Sequence, residues 1–251
     1  MRFITVPNLP DGKVRLAVVD GRISERAESR LLELGIDMLR MPPYKGLCEP
    51  ISCHPDLVIH HVGNERIVYA PGTSDKLIEE LARRGFTLIE GKTCLSAEYP
   101  GDIAYNVARV GKYAFHNLKY TDPVLMEELD RAGVELVHVR QGYTKCSVSI
   151  VDEYSVITSD IGIKRAAEAK GLETLWLESD SGILLPGFDR GFIGGCSGLV
   201  DRNTWAITGE IASLKAAQEI TAFLEARGVS AISLDEGRPV DVGSIIPLLV
   251  E

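Results

Sequence analysis

The residues best equipped for chemistry are five cysteines, Cys48, Cys53, Cys94, Cys146 and Cys196. A thiolate is a nucleophile and a soft metal ligand. Cys196 lies in Gly194-Gly195-Cys196-Ser197-Gly198, the G-x-C-x-G spacing of a nucleophile elbow with cysteine in place of serine. An elbow needs a helix directly after it. The residues after Cys196 and Ser197 read "GLVDRNTWAITGE", two short apolar runs around Asp201-Arg202-Asn203, which is a hairpin pattern. The order also fails, because His54, His60, His61, His116 and His138 all precede Cys196, whereas the histidine of such a triad comes after its nucleophile. Thiol chemistry without an elbow stays open: Cys146 or Cys196 as nucleophile, with His54 as the nearest base. A buried, inert role is open for each cysteine as well.

Metal-ligand spacing is absent. There is no C-x-x-C, and Cys48 and Cys53 are five residues apart, unlike a zinc knuckle. A site gathered from Cys53, His54, Cys94, Cys146 and Cys196 lacks a chelating pair, so neither metal nor cofactor is expected. His60 and His61 are adjacent on a strand and face opposite sides of it, and His138 reads as core.

The elements that position these residues repeat. Five helical segments each end at a glycine: "ERAESRLLELG" at Gly35, "DKLIEELARRG" at Gly85, "PVLMEELDRAG" at Gly133, "IKRAAEAKG" at Gly171 and "LKAAQEITAFLEARG" at Gly228. Glycine suits the residue after a helix because it accepts a left-handed backbone. A strand-like run comes after each glycine, and a strand or hairpin precedes each helix. The C′ glycines recur every ~48 residues, an ordinary repeat length. The unit is strand, strand, helix, strand. The approximate boundaries are 1–43, 44–91, 92–142, 143–182 and 183–251, within one domain of 251 residues. The first unit either lacks part of its hairpin or borrows "FITV" from the N-terminus.

All five cysteines fall in the linkers between units, with Asp56, Asp102, Tyr143, Lys145, Arg238, Asp241 and Ser244. If the units close around an axis, equivalent linkers converge, and a ligand pocket is expected there. A net charge of −9 with no Lys/Arg cluster speaks against nucleic acid. No apolar run is long enough to span a bilayer, and the start "MRFITVPNLPDGK" lacks a secretory pattern, so a cytoplasmic protein without disulfides is expected. A homodimer is open as an assembly.

With its five strand–strand–helix–strand units the chain resembles the pentein, or guanidino-group-modifying enzyme, superfamily. The resemblance covers about Val14 to Leu248. It points to a branch whose activity is not established, with signatures "HPDLVIHHVG", "QGYTKCSVSIVD" and "GFIGGCSG". It implies an α/β fold: a five-bladed α/β propeller of ββαβ repeats with pseudo-fivefold symmetry. It also implies a pocket in which carboxylates grip a guanidinium and a cysteine, helped by a histidine, attacks its carbon. Asp56 in "HPD" and Asp102 in "PGD" match the family's carboxylates. The family histidine would fall within Gly142-Tyr143-Thr144-Lys145-Cys146, where there is none. The family cysteine would fall in "GRPVDVGSIIPL" at Gly243, beside Ser244.

Three functions are open on these grounds. The first is a binding protein for a small guanidino- or amino-acid-like ligand, using Asp56, Asp102, Tyr143, Arg238 and Ser244. The second is a thiol-dependent hydrolase or amidinotransferase with a relocated nucleophile, Cys196 or Cys146, and His54 as base. The third is a non-catalytic protein-binding module, like the fold's ribosome anti-association member.

Overall fold

The computed structural model describes residues 1–180 and 182–251. The glycine-terminated segments form nine-residue helices: Glu25–Glu33, Asp75–Arg83, Pro123–Arg131, Ile161–Ala169 and Ala217–Glu225. Ser24, Asp122 and Asp160 cap three of them by accepting first-turn N–H bonds. Gly35, Gly85, Gly133, Gly171 and Gly228 all take positive φ, between 68° and 90°. Each helix buries one i,i+4 pair: Ala27 and Leu31, Leu77 and Leu81, Leu125 and Leu129, Ile163 and Ala167, Ile220 and Leu224. That spacing stacks both side chains on one face, and each buried leucine or isoleucine contributes roughly 1.5–3 kcal/mol.

Among the described residues the strands form five small sheets. Four of them have three strands: Ile59–Gly63, Arg66–Tyr69 and Thr87–Glu90; Ala108–Val110, Tyr113–His116 and Glu135–His138; Val148–Asp152, Ser155–Thr158 and Glu173–Trp176; Ser197–Asp201, Thr204–Ile207 and Ser230–Ser233. In each, the first two strands pair antiparallel across a hairpin, and the third joins in parallel after the helix. The hairpin after Cys196 is therefore real, with Ser197 opposite Ile207.

The first sheet differs from expectation. Val14–Asp20 and Asp37–Met41 pair in parallel, but the antiparallel neighbour of Val14–Asp20 is Ile246–Val250 from the C-terminus. The N-terminal strand Arg2–Phe3 sits outside it, with Phe3 opposite Leu249. The physical reason is burial: all five residues of Ile246–Val250 are buried, and pairing satisfies the backbone groups of Val14–Asp20. Residues 246–250 thus complete the first sheet rather than extending the last.

The molecule is a mixed α/β fold whose apolar core runs between the sheets and their helices in four clusters. Among the described residues no helix is long and apolar enough to cross a membrane.

Candidate functional site

The segments before strands Ile59–Gly63, Ala108–Val110, Val148–Asp152, Ser197–Asp201 and Ile246–Val250 meet in a closed ring of hydrogen bonds. Asp56 N donates to Gly243 O (3.4 Å), and Asn106 Nδ2 donates to Asp56 O (3.1 Å). Lys145 N donates to Asn106 O (3.2 Å), Gly195 N to Cys146 O (2.9 Å), and Ser244 N to Gly195 O (2.7 Å). One-turn helices, Pro55–Val58 and Thr144–Ser147, present Asp56 and Cys146 to the ring. Pro55 starts its turn where a missing N–H costs nothing. The glycines of "GGCSG" are there for close approach. A Cβ on Gly194 would lie 2.3 Å from Val148 O, and one on Gly195 would lie 2.0 Å from Asp241 Oδ1.

Side chains fill the ring. Cys146 Sγ donates to Asp56 Oδ2 at 3.1 Å, and Ser244 Oγ donates to the same oxygen at 2.8 Å. Lys145 Nζ donates to Ser244 Oγ at 2.8 Å. Asn106 Oδ1 accepts from Lys145 N (2.9 Å) and Cys146 N (3.3 Å), while its Nδ2 also reaches Cys146 Sγ (3.2 Å). His54 lies between two carboxylates, its Nδ1 3.8 Å from Asp241 Oδ1 and its Nε2 3.9 Å from Asp20 Oδ2. Two buried atoms here have no partner, His54 Nε2 and Asp56 Oδ1.

Beside the ring is a cavity of about 210 Å³, lined on its polar side by His54, Cys146, Tyr143 and Asp241. Leu57, Leu185, Phe188 and Phe192 form apolar walls, and Asp189 and Arg190 are exposed members of the lining. Burial pushes the Asp241 carboxyl up to about 6, with Asp56 adding to the rise and His54 opposing it. Burial also pushes the Cys146 thiol well up, reinforced by the charges of Asp56 and Asp241, so the unliganded thiol is protonated at neutral pH. The Lys145 ammonium is pushed down by burial. Asp20 is neutralised by Arg22 at 2.9 Å. The buried carboxylates of Asp56 and Asp241 thus share the floor with the Lys145 ammonium and the His54 ring.

The expected site residues divide. Cys146, His54 and Tyr143 line the cavity, and Asp56 and Ser244 lie beneath it in the ring. Asp102 is linked to the site through the Tyr143 hydroxyl, which donates to its Oδ2; burial raises its pKa. Arg238 is exposed and donates to Gly182 O at 3.1 Å, away from the cavity. Cys196 is fully buried, packs with Ile157, Leu199 and Trp205, and donates to Ile193 O at 3.4 Å; it does not line the cavity. A glycine-lined turn aims its thiol into the core. Ser244, beside the expected position of the family cysteine, is fully buried and engaged on all sides.

Asn106 escaped the sequence reading, although a lone amide in the apolar run "IAYNVARV" is a signal, since a buried amide needs partners. His54, Asp56 and Cys146 also bring ligand-type atoms within 4.8 Å of one another, an arrangement that their spacing in sequence did not reveal.

Comparison with known proteins places the fold. The model of the Family of unknown function (DUF6873) matches residues 18–246. No curated protein matches. Among solved structures, an amidinotransferase from Microseira wollei in the saxitoxin biosynthetic pathway aligns with TM-score 0.59 and 10% identity, over 92% of this chain and 91% of that one. A cysteine-to-serine mutant of DDAH from Pseudomonas aeruginosa, complexed with citrulline, aligns with TM-score 0.59 and 10% identity, over 89% and 92% of the two chains. The agmatine deiminase of C. jejuni aligns with TM-score 0.57 and 8% identity, over 94% and 90%. At such identities the likeness is one of fold.

Proposed function

The chain belongs to that family of unknown function and has the pentein fold, and on this footing we propose that it binds a small cationic ligand of guanidino or amino-acid type in the cavity beside the ring. In this reading the five sheets stand as the blades of an α/β propeller around the ring, with pseudo-fivefold symmetry. The observation that carries the proposal is the cavity of about 210 Å³ itself, with the buried carboxyl of Asp241 on its floor and apolar and aromatic walls. A planar cation gains charge-assisted hydrogen bonds from such carboxylates, and an apolar wall suits its stem. Calorimetric titration with arginine, agmatine and a panel of amino acids tests it. Binding that weakens at least about tenfold in Asp241→Asn supports the reading, and no heat from any compound overturns it.

A second reading is favoured by one observation: Cys146 shares the cavity with His54, whose ring reaches within 4.8 Å of the thiol. The protein is then a thiol-dependent hydrolase or amidinotransferase. Cys146 Sγ bonds to the guanidino carbon, the thiol proton passes to His54, and the leaving amine takes that proton. Water or an acceptor amine then breaks the S–C bond, and a proton returns to sulfur. The bound cation lowers the thiol pKa that the carboxylates raise. Release of amine or ureido product, abolished in Cys146→Ser and kept in Cys196→Ser, is the expected result; activity surviving in Cys146→Ser rules it out.

A further inference from the structure

We propose that His54, Asp56 and Cys146 form a binding site for one thiophilic divalent cation of the zinc type, open toward the cavity. Three observations carry it. The first is proximity: a ring nitrogen, a carboxylate oxygen and the thiol sulfur lie within 4.8 Å of one another, and all three residues are at most 3% exposed. A tetrahedral zinc spaces its nitrogen, oxygen and sulfur ligands about 3.3–3.6 Å apart, so small rotations of these side chains close the site.

The second is the set of missing partners. Asp56 Oδ1 and His54 Nε2 are buried and unpaired, whereas polar atoms at this depth are ordinarily satisfied. Asp56 Oδ2 remains held by Ser244, which leaves Oδ1 as the free ligand oxygen. Asp241, 3.8 Å from the His54 ring, and Asn106, 3.2 Å from the Cys146 sulfur, are placed to orient two of the ligands from outside.

The third is the chemistry of the donor set, a ring nitrogen, a carboxylate oxygen and a thiol sulfur. A mixed nitrogen, oxygen and sulfur donor set selects zinc over magnesium or calcium, which prefer oxygen alone. Three protein ligands with the fourth position facing a cavity is the arrangement of sites that present the metal to water or to a small molecule.

The inference is independent of the guanidino reading, and the experiments separate them. Ligand titrations are run in chelator, and metal titrations without any guanidino compound. Full-length protein stripped with EDTA is titrated with Zn²⁺ by calorimetry, and with Co²⁺ in the spectrophotometer. The expected result is one equivalent of Zn²⁺, with a thiolate-to-cobalt charge-transfer band in the Co²⁺ form. Affinity falls at least about 100-fold in Cys146→Ser and His54→Ala and about 10–100-fold in Asp241→Asn. Cys94→Ser, which removes an exposed thiol, leaves both readouts unchanged. No uptake by the wild-type chain, a cobalt form without the thiolate band, or uptake retained in Cys146→Ser overturns the proposal. The wild-type spectrum decides even if a variant fails to fold.

Discussion

At the scale of single residues, the thiols are sorted by environment. Cys94 is exposed, while Cys53, Cys146 and Cys196 are buried with raised pKa values. A neutral alkylating agent at pH 7, with peptide mapping afterwards, is expected to mark Cys94 first and Cys146 and Cys196 last. Equal rates at Cys94 and Cys146 would contradict a protonated, buried Cys146. Asn106 is the other residue whose loss is informative. Its amide serves Asp56 O, Cys146 Sγ and two backbone N–H groups. Asn106→Ala leaves Cys146 N and Asp56 O buried without this partner, while Lys145 N keeps the Asn106 carbonyl and Cys146 Sγ keeps Asp56; at about 1–3 kcal/mol for a buried group left unpaired, the chain should lose roughly 2–3 kcal/mol in denaturant unfolding. A loss below about 1 kcal/mol would mean that the ring is not held by this side chain.

At the scale of elements, two short segments do more than their secondary structure shows. Asp122 caps helix Pro123–Arg131 through Val124 N and Leu125 N, and its other oxygen accepts from Lys92 N and Thr93 N of the linker before it. Asp122→Ala removes both functions. The expected cost exceeds the ~0.5–2 kcal/mol of an ordinary cap, and a cost within that range would mean that the linker contacts contribute nothing. The glycine turn before Ser197 is as constrained. Gly195→Ala drives a methyl group into Asp241, and the variant should lose several kcal/mol of stability together with any ligand or metal binding that depends on Asp241. Unchanged thermal unfolding in that variant would show that the turn has room to relax.

At the scale of the whole molecule, stability should depend on pH through buried histidines. Burial holds His60 at about 3, and His61 and His116 at about 4, against an ordinary value of about 6.5. Their folded values lie below the unfolded one, so the unfolded chain binds more protons between about pH 4 and 6.5. Stability is therefore present above that window and lost as pH falls through it. Asp241, raised to about 6, works in the opposite sense and recovers part of the loss on acidification, as do Asp102 and Asp180, which burial also raises. The three histidines leave a net fall, of order 2 kcal/mol per histidine near pH 5 before that offset. The unfolding temperature at about pH 5 should lie at least about 4 °C below that at about pH 7. An unchanged value would mean that these rings are not held neutral inside the fold.

The local elements were legible in the order of residues alone. The glycines at Gly35, Gly85, Gly133, Gly171 and Gly228 mark the ends of five helices, because capping is a short-range effect. The hairpins after the third and fourth linkers were legible for the same reason, whereas the meeting of Asp56, Cys146 and Ser244 followed from the sequence only on the condition that the units close around an axis. Which side chain of a linker faces the cavity was settled by packing. Cys146 and Cys196 occupy comparable linkers, yet a one-turn helix aims the first at Asp56 and a glycine turn aims the second into the core. Packing also paired Ile246–Val250 with Val14–Asp20 and put His54 beside Cys146, although the two are far apart in the chain. Such choices depend on contacts and hydrogen bonds between distant segments, which no local pattern of residues encodes.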